Sequence, residues 1–413
     1  MVMRGALLFV FVTTIAHAQT THYTLKLTPE FGHRVLRGQE SVEVVSDAGT
    51  LELQKQPGLL ITQASSDDGE VSVRQESISV RLQRSGRHKI QLQFVAAPHR
   101  GIMWFPGETG LDTAFYCEAW MVCDTDPDQR ATLTMEIVVP TMSGLTAVGP
   151  GQLTKQWTEN DGAHFLFQQS EPVQTYLFSF GIAGLRRSED GQFVVYAADV
   201  GAHRVAFERT AKAYEFLRNK AGIGLAGGQY TQASMLNGIA QEAASMALMP
   251  KDFFHALEEE HDDGLMTHEL AHQWWGVSVG IRSWSDFWLN EGMADFMEDA
   301  FLEQEKGHVA YVHAMDQARQ QLEKLRAAGQ DRPLHWEGWK DAQGALGRIP
   351  YLKGALFLDR LRTELGEERF WRGVALYTIR NAGHFVDSAD FQKAMEEAGG
   401  RDLKPLFDEA VYH

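Results

Sequence analysis

The chain has 413 residues, 44% hydrophobic and 23% charged, which is ordinary for a soluble globular protein and enough for two domains, at most three, with ample cores. Its formal net charge of −17 argues against nucleic acid or an anionic membrane surface as a partner, while leaving basic peptides open.

Residues 1–18 have the layout of a signal peptide. Arg4 gives the positive start, Ala6 to Ile15 an apolar run, and Ala16-His17-Ala18 a small-residue cleavage site before Gln19. The alternative is a buried N-terminal helix or strand. The run is too short to span a bilayer and no second candidate follows, so no stable membrane insertion is expected after signal removal. Export to a bacterial periplasm or the extracellular space is the expectation.

From Tyr23 to about Ala183 the apolar period is two, as in Ile78, Val80 and Leu82, or Leu133, Met135, Ile137 and Val139. This predicts an all-β domain of antiparallel sheets over 19–190. Within it stand Glu118 and the only two cysteines, Cys117 and Cys123, which either close a small disulfide loop in an oxidising compartment or sit as buried thiols. Past Phe193–Tyr196 the period moves toward 3.6, with Phe207, Ala211, Tyr214 and Leu217 on one face up to Gly222. The boundary is expected inside the polar stretch Arg186–Gly191, which leaves 191–413 to a second domain. Residues 222–228 are glycine-rich, but without a Gly-Lys-Ser/Thr ending they are not a phosphate loop.

The stretch that carries chemistry runs from Met266 to Asp299. His268 and His272 stand four apart, so on a helix over 265–276 both imidazoles leave one face and can share a metal ion. Two imidazoles and a carboxylate suit zinc, with a position left open for water. Glu269 is placed to act there as general base, and Glu291, on a separate helical run, is the natural third ligand. A bare His-Glu-x-x-His also arises by accident, but here it is joined to Asn290-Glu291-Gly292 in an aromatic-rich helical pattern. Asp295 or Glu298 suits a partner for the outer nitrogen of a ligating histidine, or both are surface carboxylates. Further on, Val312, Met315, Ala318, Leu322 and Leu325 mark a core-facing helix. Trp336 and Trp339 line a cleft or pack it closed, Ser388 is a candidate helix cap, and Gly399-Gly400 a stop.

The run His268-Glu269-Leu270-Ala271-His272-Gln273-Trp274-Trp275-Gly276, followed by Trp288-Leu289-Asn290-Glu291-Gly292, resembles the aminopeptidase N family of zinc metallopeptidases (gluzincins). The likeness is to a short member without the family's C-terminal helical domain. It implies an N-terminal antiparallel β-sheet saddle domain followed by a thermolysin-like, mainly helical zinc peptidase domain. It also implies one Zn2+ per chain on His268, His272 and Glu291, and peptide substrates. Tyr351-Leu352-Lys353-Gly354-Ala355 matches a family motif whose tyrosine stabilises the oxyanion. Glu118 and Glu242 fall where the family binds the substrate's free amino group, although Ile239-Ala240-Gln241-Glu242-Ala243 keeps only the glutamate of Gly-Ala-Met-Glu-Asn. Without the resemblance, Glu118 reads as a solvated loop residue and Glu242 as a strand-edge residue. The implied activity is that of an aminopeptidase. The alternatives are a zinc endopeptidase with an open cleft, a catalytically silent secreted binding protein and, further off, an ester or epoxide hydrolase.

Overall fold

Alternating apolar and polar side chains build the first half of the chain into sheets. The computed structural model describes residues 18–140, 144–199, 201–236, 240–340 and 347–413. The expected signal segment lies outside the described residues apart from Ala18, which opens the first strand. The main sheet has seven strands: β1 (Ala18–Glu30), β2 (Val35–Ser46), β3 (Leu59–Ser66), β4 (Gly86–Ala96), β5 (Ala131–Val139), β6 (Gln152–Glu159) and β7 (Gly162–Val173). Their order is β6-β7-β5-β1-β2-β4-β3. In β2, Leu36, Val42 and Val44 are buried while Arg37 and Gln39 face solvent, the pattern of a sheet with one wet face.

Two expectations need correction. The sheet is not wholly antiparallel, because β1 and β5 run parallel from His22–Thr132 to Leu27–Ile137. Residues 97–130 intervene between β4 and β5, and a connection of that length can return the chain to the start of β1, which a hairpin cannot. The domain boundary also moves. Residues 186–190 form a strand, β8 (Arg186–Asp190), that pairs with β9 (Phe193–Ala197) across a two-residue turn with Gly191 at φ +59°. A cut at 190/191 would split this hairpin, so the second domain starts before Arg186.

That domain opens with a five-stranded sheet completed by β10 (Tyr230–Ser234), β11 (Gln241–Ala243) and β12 (Met246–Met249), in the order β8-β9-β10-β12-β11. Helix α1 (Ala202–Ala221) crosses between the parallel strands β9 and β10. Helices α2 (Gly264–Ala271), α3 (Trp288–Lys306), α4 (His308–Ala327), α5 (Arg348–Leu365), α6 (Glu367–Asn381), α7 (Ser388–Gly399) and α8 (Lys404–Ala410) follow. On α4, Tyr311, Met315, Ala318 and Leu322 face the core, whereas Val312, expected among them, is 40% exposed. The cap of α7 is Asp387 rather than Ser388. Its carboxylate accepts from the amides of Ala389 and Asp390, while the Ser388 hydroxyl donates to Asp286 instead.

The two domains are tied by polar side chains of the first. Buried Arg130 donates to the carbonyls of Ser278 (2.9 Å) and His384 (3.1 Å), and Gln174 donates to that of Ile281 (3.0 Å). Among the described residues no helix is long and apolar enough to cross a membrane.

Candidate active site

Helix α2 is shorter than expected and ends at Ala271 instead of Gly276. The chain turns there so that both Trp274 and Trp275 are buried, their indole N–H groups donating to the Ile223 carbonyl and the Thr378 hydroxyl. His272 keeps helical backbone angles as the cap (φ −57°, ψ −21°), so its ring still leaves the same face as that of His268. The two Nε2 atoms are 3.1 Å apart. From the first turn of α3, Glu291 Oε2 lies 3.4 Å from His268 Nε2 and 3.3 Å from His272 Nε2.

These three edges fit a metal. Donors about 2.0–2.1 Å from a tetrahedral ion stand about 3.3–3.4 Å from one another, and this N2O set suits zinc. Glu291 Oε2 is buried and has no hydrogen-bond partner, as expected of an oxygen kept for an ion. The outer nitrogens are engaged. His272 Nδ1 donates to the Trp275 carbonyl (3.2 Å), and His268 Nδ1 lies 2.9 Å from Asp295 and 3.6 Å from Glu298. Both rings therefore turn Nε2 toward the centre. Burial disfavours a charge on His268, yet the hydrogen bonds its ring donates to Asp295, Glu291 and Glu298 outweigh it and raise its pKa well above the ordinary value. For His272 burial is likewise overcome, by Glu291, and the pKa is pushed up to about 9. A metal entering here must displace protons.

Two more carboxylates close on this triad. Ligand atoms of Glu242, Glu269 and His272 lie within 4.8 Å of one another, and all three side chains are buried. Burial raises the Glu269 carboxyl despite the opposing charges of His268 and His272, and its Oε2 has no hydrogen-bond partner. Glu242, on β11, is pushed up to about 8 by burial, with His272 opposing and the charges of Glu291 and Glu269 adding to the rise. Its Oε1 is also buried without a partner. Residues 237–239, and with them Gly238 and Ile239, lie outside the described residues.

Tyr351 stands in the first turn of α5, its ring stacked on that of His268 (centroids 6.0 Å apart, planes within 8°) and its hydroxyl against the Glu291 carboxylate. It reaches this place because α3 and α5 touch backbone to backbone. A Cβ on Gly292 would lie 2.7 Å from Gly354 Cα, and one on Gly354 would lie 2.6 Å from Gly292 Cα. The glycines of Asn290-Glu291-Gly292 and Lys353-Gly354-Ala355 are thus one structural device.

Glu118 comes from the β domain. It lies in a turn bracketed by Cys117 and Cys123, which are joined by a disulfide. The sheet holds this loop from below: Glu40 accepts from the Val122 amide (2.9 Å) and the Tyr23 hydroxyl from the Asp124 amide (3.0 Å). Glu118 lines a cleft of about 340 Å³ that also takes in Lys55, Phe115, Tyr176 and Trp284. Tyr176 lines the same cleft and links it to α3. Its hydroxyl accepts from Asn290 Nδ2 (2.9 Å), its ring packs on Trp284 (5.1 Å), and burial with the charges of Glu242 and Glu291 lifts its pKa well above that of a free phenol. Nothing in the sequence marks Tyr176, which closes a stretch of period two where a tyrosine reads as packing.

Residues 213–409 match the Peptidase family M1 domain. That match takes in just under half of the chain. The chain is 23% identical over 416 residues to the leucyl aminopeptidase of Saccharolobus solfataricus, covering 94% of this chain and 52% of that one. It is 26% identical over 307 residues to the mitochondrial aminopeptidase 2 of Saccharomyces cerevisiae, covering 69% and 32%. The chain therefore spans about half the length of the archaeal relatives it matches. A crystal structure of an M1 zinc metallopeptidase from Deinococcus radiodurans superposes with a TM-score of 0.79 at 22% identity, covering 95% of this chain and 94% of that one. The fold, a β domain followed by a largely helical M1 domain, is shared along both. The M1 match begins within α1 and ends in α8, so it holds the triad, Glu242, Glu269 and Tyr351. Glu118 and Tyr176 are supplied by the β domain.

Proposed function

We propose that this protein is an M1 aminopeptidase that hydrolyses the first peptide bond of its substrates with one zinc ion per chain on His268, His272 and Glu291. The observation that carries it is the fit of the three ligand atoms to a tetrahedral ion, with two further buried carboxylates, Glu269 and Glu242, beside it. Support also comes from relatives named as aminopeptidases, and from a mutant of the Deinococcus protein that was crystallised with a Tyr-Ser-Ala substrate.

Zinc in this position supplies a Lewis acid for the scissile carbonyl and lowers the pKa of a water molecule. Glu269 takes a proton from the attacking water and passes it to the leaving amine, a task that burial suits by raising its proton affinity. Tyr351 donates a hydrogen bond to the carbonyl oxygen as negative charge builds there. Its phenol keeps its proton because burial and the charges of Glu291 and Glu242 raise its pKa far above neutrality. Glu242 receives the substrate's ammonium, which gives its unpaired buried oxygen a charged donor, and Glu118 faces the same group from the cleft. Export through residues 1–18 belongs to the same proposal, and the Cys117–Cys123 bond supports an oxidising compartment.

The test takes zinc-loaded protein, one mid-length peptide and its N-acetylated form, with products identified by mass and Glu269→Gln as the control for a contaminating protease. Stepwise loss of N-terminal residues that acetylation blocks is the expected result. Internal cleavage indifferent to acetylation makes the protein an endopeptidase and removes the anchor role of Glu118 and Glu242. Zinc bound without any cleavage leaves a binding protein.

A further inference from the structure

Resting on the aminopeptidase proposal, we infer that the cleft beside Glu118 selects peptides whose first residue has an acidic side chain. The cleft wall is assembled by the backbone. Gln54 and Cys123 exchange amide–carbonyl bonds of 2.8 and 3.1 Å, and the Gln56 amide donates to the Glu118 carbonyl at 2.7 Å. Residues 54–56 and the disulfide loop therefore form one surface, and Lys55 and Glu118 both line the cleft it borders. Phe115, at the loop's start, is held at φ +56°, a strained conformation for a bulky side chain of the kind retained at ligand sites.

Lys55 is only 4% exposed, and among the described residues its ammonium makes one hydrogen bond, to the Gln75 carbonyl at 2.7 Å. An ammonium has three N–H donors, and a buried one left short of acceptors is costly. Arg100 and Lys340 line the same cleft. The opposing charges are Glu76, which is exposed and screened by solvent, and Glu118, which the substrate's amine neutralises. With the amine on Glu118, the surroundings of the first side chain are cationic. A glutamate or aspartate side chain supplies the acceptors Lys55 lacks, a lysine or arginine side chain is repelled, and the rings of Tyr116, Tyr176 and Trp284 pack on its methylene groups.

The experiment compares zinc-loaded full chain on four peptides that differ only in a first residue of Glu, Ala, Phe or Lys. The expected order of kcat/KM puts Glu first, about 10-fold or more above Ala, and Lys last. Lys55→Met should collapse the Glu-to-Ala ratio and Lys55→Arg should keep most of it. If Lys55→Met does not fold, Arg100→Gln and Lys340→Gln, both at exposed positions, should each lower the same ratio. Calorimetry of the same peptides on the Glu269→Gln protein reads binding without turnover. Tighter, Lys55-dependent binding of the Glu peptide with no cleavage by the parent protein sustains the selectivity and overturns the proposed hydrolysis. Cleavage with Phe, Ala or Lys preferred over Glu does the reverse.

Discussion

Glu269 and Tyr351 flank the same three proposed ligands, but their removal should leave different signatures. Glu269→Gln keeps the shape and loses the base, so kcat should fall about 10²–10⁴-fold while zinc content is unchanged. Tyr351→Phe removes only a donor to developing charge, so kcat should fall about 10²–10³-fold with KM little altered. Steady-state kinetics beside metal analysis separates the two, and a Tyr351→Phe effect confined to KM would remove its oxyanion role. At this scale, proximity was legible wherever a helix turns spacing into geometry. His268 and His272 meet because they are four apart, and Asp295 and Glu298 reach the outer nitrogen of His268 because they lie one and two turns beyond Glu291. Tyr176 was not legible, because its place depends on how the end of the β domain meets α3.

Among elements, β2 and the α3–α5 crossing each make a prediction. Glu40 on β2 is buried, which raises its carboxyl from the ordinary 4.5 to about 8 despite the Val122 amide it accepts from. Between those values the folded chain holds a proton that the unfolded chain has released, so stability falls as pH rises through that window. Glu40→Gln abolishes the titration and keeps an oxygen for the Val122 amide. Melting temperatures across the window should therefore drop less for the variant than for the parent. Gly354→Ala would place a methyl against the main chain of α3, costing about 1–3 kcal/mol and prising Tyr351 from Glu291. It should lower both melting temperature and kcat/KM, whereas Gly347→Ala, with nothing within 4 Å of its added carbon, should lower neither. Period and punctuation located the strands and helices, but not their ends. The end of α2 is set by burial of two indoles, and the cap of α7 by the hydrogen bond that Ser388 gives to Asp286, neither of which a periodicity contains.

For the molecule as a whole, the β domain is part of the site as well as a neighbour of it. Arg130 is buried at the junction with its guanidinium on two carbonyls of the second domain and over the Phe385 ring. Arg130→Met keeps the apolar stem and loses charged hydrogen bonds of about 1.5–3 kcal/mol each. Calorimetry should show the transition several degrees lower, at about 2–4 °C per kcal/mol for domains of this size. An unchanged melting temperature would mean that the junction is held by its apolar contacts alone. The order of domains could be read from the change of period, whereas the parallel pairing of β1 with β5 could not, since a strand's own residues do not record from which end its partner arrives.

The division of labour across that junction bears on how such a chain can change. On the proposed function, the second domain holds the triad, the base and the phenol, while most of the cleft proposed for a substrate's first side chain is built on residues 54–57 and 115–118 of the other domain. If both proposals hold, diet and machinery are inherited on separate stretches of sequence, and drift in the β-domain loops would re-aim the protein without touching the residues proposed to break the bond.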